Sequence, residues 1–307
     1  MLRLAGLKTS FAPRPPVAHD QVMANDVVPG PQREWRKIGF IGTGHMGQAL
    51  IQALVEGGRV SPSKVFATNR SAGKLKKVQD LFGITPLATN EELIDKCEIV
   101  IIAVKPQDLT SVIEPIASTF LPTHIVLSLA AGFSLRSLQK IMPQVSALIR
   151  VMPNTPATIR KAVVGYSLGP GASAYGPMVE DLLSPLGLVV SAPEGELFES
   201  LTVGCGSGPG FVFELMQYWQ EWIEEHGFDP AIARQMVVQT FLGAAELAAH
   251  AKDTPLHDLQ DRVVSKKGVT AAGLQSMREL EIERALRYSF EKAVLRDQEI
   301  SRGTARD

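Results

Sequence analysis

"RKIGFIGTGHMGQALIQALVEGG", Arg36 to Gly58, is the stretch on which the fold turns. Ile38-Gly39-Phe40-Ile41 is a short apolar run. Gly42-Thr43-Gly44 then interrupts it, before a helical pattern that begins near Met46 and ends at Gly57-Gly58. A strand, a glycine turn and a helix in this order give the glycines of Gly42-x-Gly44-x-x-Gly47 separate roles, namely a tight turn, close backbone approach to a pyrophosphate, and helix–sheet packing. The helix N-terminus faces the anion. The spacing alone is a weak signal, with an accidental glycine turn as its bland alternative. In the strand–turn–helix setting it reads as a dinucleotide-binding loop made of Gly42, Thr43, Gly44, His45, Met46 and Gly47.

Outward from this loop the same alternation continues. "KVFATNR" is a second strand, and "LIDKCEIVIIAVKPQ" carries a third, buried one at Ile99 to Val104. "HIVLSLAAG", "ALIRVMPNTP" and "AVVGYSLG" follow, with helical segments between most of these runs. Such an order predicts βαβ units and a largely parallel sheet extending to about Val190.

After Pro193 the texture changes. "DPAIARQMVVQTFLGAAELAAHA" starts with Asp229 as N-cap and Pro230 in the first turn, and its body is small and apolar nearly all round. Ile282, Ala285, Leu286, Ser289, Phe290, Ala293 and Val294 form a helical stripe in the last segment. No strand is expected after residue 200. A helix with so little polar surface is expected to be buried on most faces, which calls for cover from a partner subunit. The fold class is therefore α/β: an N-terminal Rossmann-type domain with a parallel sheet over residues 35–193, and an all-helical dimerisation domain over 194–307.

Residues 1–34 are Pro-rich and aperiodic, and their first acid, Asp20, follows Arg3, Lys8 and Arg14. They read as a disordered extension or a misassigned start, with an organellar transit peptide as the alternative. The expected location is the cytoplasm, or an organelle if that alternative holds.

A net charge of −1 gives no bulk electrostatic case for nucleic acid or anionic membrane. No apolar run approaches the ~20 residues of a membrane span. The two cysteines, Cys97 and Cys205, offer no disulfide framework, and the six histidines show no H-x-H or H-E-x-x-H pattern, so no metal is expected.

Cofactor choice is read at the end of the second strand. An Asp or Glu there would accept a ribose 2′-hydroxyl and repel a 2′-phosphate. The sequence instead offers Asn69 and Arg70, a phosphate donor and a charge-assisted partner, so NADPH is expected, with NADH less favoured. Arg70 as a solvated turn residue is the alternative. "AVKPQ", with Ala103, Val104, Lys105 and Pro106, and "SLAAG", with Ala130 and Ala131, each close a strand at its carboxyl end, the edge where such sheets bind ligands.

Together, "IGFIGTGHMGQA", "TNR", "AVKPQ", "SLAAG", "VMPNTP", "GCGSGPGFVF" and "VVSKKGVTAAGL" resemble the Δ1-pyrroline-5-carboxylate reductases over about residues 36 to 290. The last two motifs are the distinctive ones. The resemblance implies NADPH-dependent reduction of a small cyclic imine to L-proline by hydride transfer, and a helical domain interleaved with that of a second subunit in a homodimer or higher homo-oligomer. It also implies that the turn at Ser265, Lys267, Gly268 and Val269 holds the substrate carboxylate and that Thr270 contacts the ring nitrogen. Glu196 is implied, less securely, as an acid near the substrate. Read from the residues alone, Thr270 could equally cap a helix.

The chain departs from the family pattern Ser-Pro-Gly-Gly-Thr-Thr, reading Ser265-Lys266-Lys267-Gly268-Val269-Thr270. Cys205 stands where Ser is usual, Gly210-Phe211 where Ala-Tyr is common, and His45 where Asn is frequent. These departures leave two alternatives: a reductase of a related cyclic imine, and a non-catalytic dinucleotide-binding paralogue. A β-hydroxyacid dehydrogenase would need a lysine on the first helix of the second domain, and Leu201 to Ala251 contains none.

Overall fold

The computed structural model describes residues 36–303. The reading of residues 1–34 lies outside the described residues.

Eight strands form one sheet in the order β3-β2-β1-β4-β5-β6-β7-β8. They are β1 (Ile38–Ile41), β2 (Val65–Thr68), β3 (Thr85–Pro86), β4 (Ile99–Ile102), β5 (Ile125–Ser128), β6 (Ala147–Pro153), β7 (Ala162–Leu168) and β8 (Gly187–Ser191). Helices α1 (His45–Glu56), α2 (Ala72–Phe82), α3 (Asn90–Lys96), α4 (Pro106–Ile113), α5 (Leu135–Ile141) and α6 (Gly176–Leu183) connect them.

Successive strand residues feed opposite cores, as the two-residue period of a strand dictates. Ile38, Phe40, Ile99, Ile101, Ile125 and Leu127 pack into one layer with Leu50, Ile51 and Leu54 of α1. Ile41, Val100, Ile102 and Val126 enter the other with Leu93, Leu109 and Leu138. Both faces are covered, which is why these strands read as continuous apolar runs.

The sheet is largely parallel, as expected, with one reversal. β1 to β6 run the same way, but β7 pairs antiparallel with β6, and β8 runs parallel to β7. Only residues 154–161 separate β6 from β7. A parallel crossover needs a dozen residues or more, so this link can only turn the chain back. Arg160, at φ 58°, takes the left-handed conformation within it.

No strand follows Ser191 among the described residues. The helical part comprises α7 (Glu196–Leu201), α8 (Gly208–Glu225), α9 (Pro230–His250), α10 (Leu256–Arg262), α11 (Val269–Glu279) and α12 (Ile282–Gly303). Between α7 and α8, Thr202–Gly206 form a π-helical turn in which the Ser207 N–H donates to the Thr202 carbonyl at 2.9 Å. Asp229 caps α9 by accepting from the Ala231 N–H at 2.9 Å. α8 packs on α9, with Trp219 and Phe241 edge to face at 5.3 Å.

α9 is not buried on most faces within one chain. Only Ala233 and Val237 are buried, while Val238 and Leu242 are exposed. The apolar stripe of α12 is half-buried at Ile282, Leu286, Phe290, Ala293 and Val294; Ala285 and Ser289 lie at its exposed margin.

Candidate active site

The order of strands puts β1 beside β4, where the connections diverge toward opposite ends of the sheet. In open α/β sheets the ligand cleft lies at such a switch point, beyond the carboxyl ends of the strands. All four groups of residues expected at the cofactor lie on that edge. The Gly42–Gly47 turn follows β1, Asn69 and Arg70 follow β2, Ala103 to Pro106 follow β4, and Ala130 and Ala131 follow β5.

Each glycine has a distinct surrounding. Gly42 takes φ 97°, and a Cβ there would lie 2.9 Å from the Ala103 carbonyl oxygen. Gly47 fits between the Gly42 carbonyl and the Ala103 methyl, at 2.8 and 3.2 Å from the same test position. A Cβ on Gly44 would meet nothing within 4 Å. Thus Gly42 and Gly47 are required by packing against Ala103, whereas Gly44 keeps the outer side of the turn bare.

Gly44 is the N-cap of α1, so no side chain satisfies the first N–H groups, and no acid lies in the first turn. This uncapped, positively polarised helix start suits an anion such as a pyrophosphate. His45 is exposed beside it and Met46 is half-buried; nothing in the structure explains the choice of histidine.

Thr43 is fully buried, and its hydroxyl accepts from Asn69 Nδ2 at 2.7 Å. The Gly42 N–H donates to the Thr68 carbonyl at 3.0 Å. The turn after β2 is therefore fastened to the glycine loop, and one N–H of the Asn69 amide is already in use. Arg70 is exposed and has no ion-pair partner among the described residues. Lys105 is the N-cap of α4, with its side chain exposed and Pro106 opening the helix. Ala130 is buried and Ala131 half-buried.

The residues expected on the substrate side stand elsewhere. Ser265 to Gly268 make a tight turn in which the Gly268 N–H donates to the Ser265 carbonyl at 3.0 Å. Lys267 holds φ 61° there, the left-handed conformation natural to glycine. Gly268 is the N-cap of α11 and offers no capping side chain, so Thr270 is not the cap. Val269 and Thr270 are exposed in the first turn, and α11 packs on α12. Glu196 is exposed at the start of α7. Within one chain, the turn at 265–270 makes no described hydrogen bond to the cofactor edge.

Sequence reasoning passed over two anchors. Asn154, at the end of β6, donates through Nδ2 to the Cys205 carbonyl at 3.0 Å and accepts from the Val163 N–H at 3.1 Å. Its position in "VMPNTP", directly after a strand, was the available signal. The second is buried Arg150, paired with Glu194 at 3.2 Å and stacked over Phe198 at 4.4 Å. Its partners are far apart in the chain, and no motif joins them. Burial pushes the thiols of Cys97, to about 12, and of Cys205 upward, so both stay neutral near pH 7.

A Rossmann-type sheet with an uncapped glycine turn at its switch point, joined to a helical segment, defines a dinucleotide-dependent oxidoreductase. Residues 195–300 match the family model for pyrroline-5-carboxylate reductase dimerisation, and residues 37–132 match that for NADP oxidoreductase, coenzyme F420-dependent. The pyrroline-5-carboxylate reductase of Methanosarcina acetivorans is 34% identical, covering 88% of this chain and 98% of that protein. Pyrroline-5-carboxylate reductase 2 of Bacillus subtilis is 30% identical, over 86% and 95% respectively. A solved pyrroline-5-carboxylate reductase from Coxiella burnetii superposes with a TM-score of 0.81 at 27% identity, covering 87% of this chain and 98% of its own. The chain belongs to the pyrroline-5-carboxylate reductase family.

Proposed function

We propose that the chain reduces 1-pyrroline-5-carboxylate to L-proline, the last step of proline biosynthesis, and prefers NADPH to NADH. The observation that carries this reading is the bare, uncapped Gly42–Gly47 turn at the sheet's switch point, in a chain one-third identical to such a reductase over nearly its whole length. When bound, the nicotinamide supplies a hydride to the C=N carbon, and one proton goes to the ring nitrogen.

The chain's own residues bind, orient and donate. N–H groups at the start of α1 hold the pyrophosphate. Asn69, through its remaining amide hydrogen, and the exposed Arg70 hold a 2′-phosphate, and no acid stands at the end of β2 to repel it. Ala103, Val104, Lys105, Pro106, Ala130 and Ala131 border the cleft. Ser265, Lys267 and the N–H groups at Gly268 and Val269 take the substrate carboxylate at the start of α11. The Thr270 hydroxyl contacts the ring nitrogen, with Glu196 as a further acid near the substrate.

The reading includes a domain division at residues 193 and 194 and a homodimer formed through the helical part, in which a second copy covers Val238, Leu242 and the exposed Trp219 and Trp222. No described helix is long and apolar enough to cross a membrane. A reducing cytoplasm suits the two free cysteines.

The test is loss of NADPH absorbance with pyrroline-5-carboxylate, together with detection of proline. Faster turnover of a six-membered cyclic imine would favour the related-substrate reading. Tight NADPH binding without turnover of any cyclic imine would favour the non-catalytic one.

A further inference from the structure

We propose that Glu194 is a positioning residue for the Ala130–Ala131 loop of the cofactor cleft, and that the last turns of α12 brace the same loop from outside. This rests on the reading of Ala130 and Ala131 as cofactor contacts.

The loop between β5 and α5 is held at both ends. At its start, the Leu129 N–H donates to the Ile102 carbonyl at 3.0 Å. At its end, the Leu135 N–H, one of those left without an intrahelical partner at the start of α5, donates to Glu194 Oε1 at 2.8 Å. The same oxygen accepts from Arg150 Nη1 at 3.2 Å. One carboxylate oxygen thus joins the loop to β6 and to the entrance of α7.

Arg150 makes that join rigid. Its side chain is buried, its guanidinium lies over the Phe198 ring, and its Nε and Nη2 find no hydrogen-bond partner among the described residues. Glu194 is the carboxylate bonded to this buried charge, and a buried charge stripped of its partner is strongly destabilising. Glu194 is therefore held in one place.

The middle of the loop is set by α12. Gly132 takes φ 76°, and a Cβ there would lie 2.3 Å from Ile300 Cγ2. Gln298, two residues earlier, donates to Glu199 of α7 at 2.9 Å, which fixes where Ile300 lands. The cleft loop is clamped between α7 and the end of the chain's last helix.

The experiment uses the full chain with Glu194→Gln and, separately, Ile300→Ala, which touches no charge. NADPH dissociation constants come from fluorescence titration well below each variant's Tm, and kcat and KM from the absorbance assay. Loop displacement predicts a kcat lower by roughly ten- to a hundredfold and weaker NADPH binding, with KM for the imine nearly unchanged. A lower Tm with wild-type kcat and NADPH affinity in both variants would overturn the proposal. Should Glu194→Gln fail to fold, Ile300→Ala decides. Hydrogen exchange on the unaltered protein separates the two levels. If NADPH fails to protect amides 129–133, the cofactor reading of the loop falls. If it protects them and both variants bind and turn over normally, only the positioning role falls.

Discussion

The Asn69 side-chain amide donates to the Thr43 hydroxyl across 2.7 Å, so the turn after β2 is tied to the glycine turn after β1. Asn69 is fixed by this bond, whereas the neighbouring Arg70 is exposed and has no ion-pair partner among the described residues. Arg70→Ala should therefore weaken NADPH far more than NADH, by about 1–3 kcal/mol for a lost charge-assisted contact. Steady-state kinetics with both cofactors checks this; equal losses would assign Arg70 to solvent.

Thr270→Val keeps the shape of the side chain and removes its hydroxyl. Since Gly268 is the N-cap of α11, the change should leave Tm nearly unaltered. Catalytic efficiency should fall by roughly ten- to a thousandfold if the hydroxyl meets the ring nitrogen. Clear destabilisation with normal turnover would make the turn structural.

Lys267→Gly has two opposing effects that separate by experiment. The left-handed backbone at φ 61° costs a non-glycine residue about 1 kcal/mol, so the variant should gain denaturant stability of that order. If Lys267 helps to hold the carboxylate, KM for the imine should rise, and rise most at low salt. A stability gain with unchanged KM at all salt concentrations would confine Lys267 to the turn.

Asp297 supplies a pH dependence. Its carboxyl is pushed up by burial; Arg150 pulls it back down and Glu199 adds to the rise. A carboxyl raised on folding favours the protonated form in the native state. Its contribution is thus full below the unfolded value and is lost as pH climbs through the folded one. Asp297→Asn should be more stable than the parent at neutral pH, with the gain shrinking in Tm scans as the pH falls toward the ordinary carboxylate value of about 3.9. A gain that does not vary with pH would assign the effect to packing.

Leu242 lies nine residues beyond the buried Ala233, about half a turn round α9 from it at 100° per residue, and is 47% exposed. Leu242→Glu should therefore leave each chain folded and convert the proposed dimer to a monomer in sedimentation velocity. A wild-type chain that sediments as a folded monomer at micromolar concentration would remove the premise.

Much of this was legible in advance because it is local. The Gly42 turn, the apolar run at Ile99 and the Asp229–Pro230 helix start each depend on neighbours within a few residues. A largely parallel sheet was legible, but not where it reverses at β7, because the apolar pattern of a strand carries no direction; only the short link at 154–161 does. The two-residue β3 is too brief to show a period. Lys267 reads as a charge in the sequence, whereas its backbone conformation is set by the turn. The Arg150–Glu194 pair draws on a strand and a loop far apart in the chain, so no spacing could announce it.

The π-helical turn at Thr202–Gly206 carries one more residue than a regular helical turn would need. At 100° per residue, that extra residue sets the azimuth of everything after it. Asn154 holds the carbonyl of Cys205 from the sheet, so the turn cannot slide along the helix. Deleting one residue there would leave α8 intact as a helix but swing its outward side by about 100°, carrying Phe213, Tyr218 and Trp222 away from where they now point. The heading of the whole helical half is thus dialled by a single residue of chain length, which side-chain substitutions elsewhere in α8 could not reset.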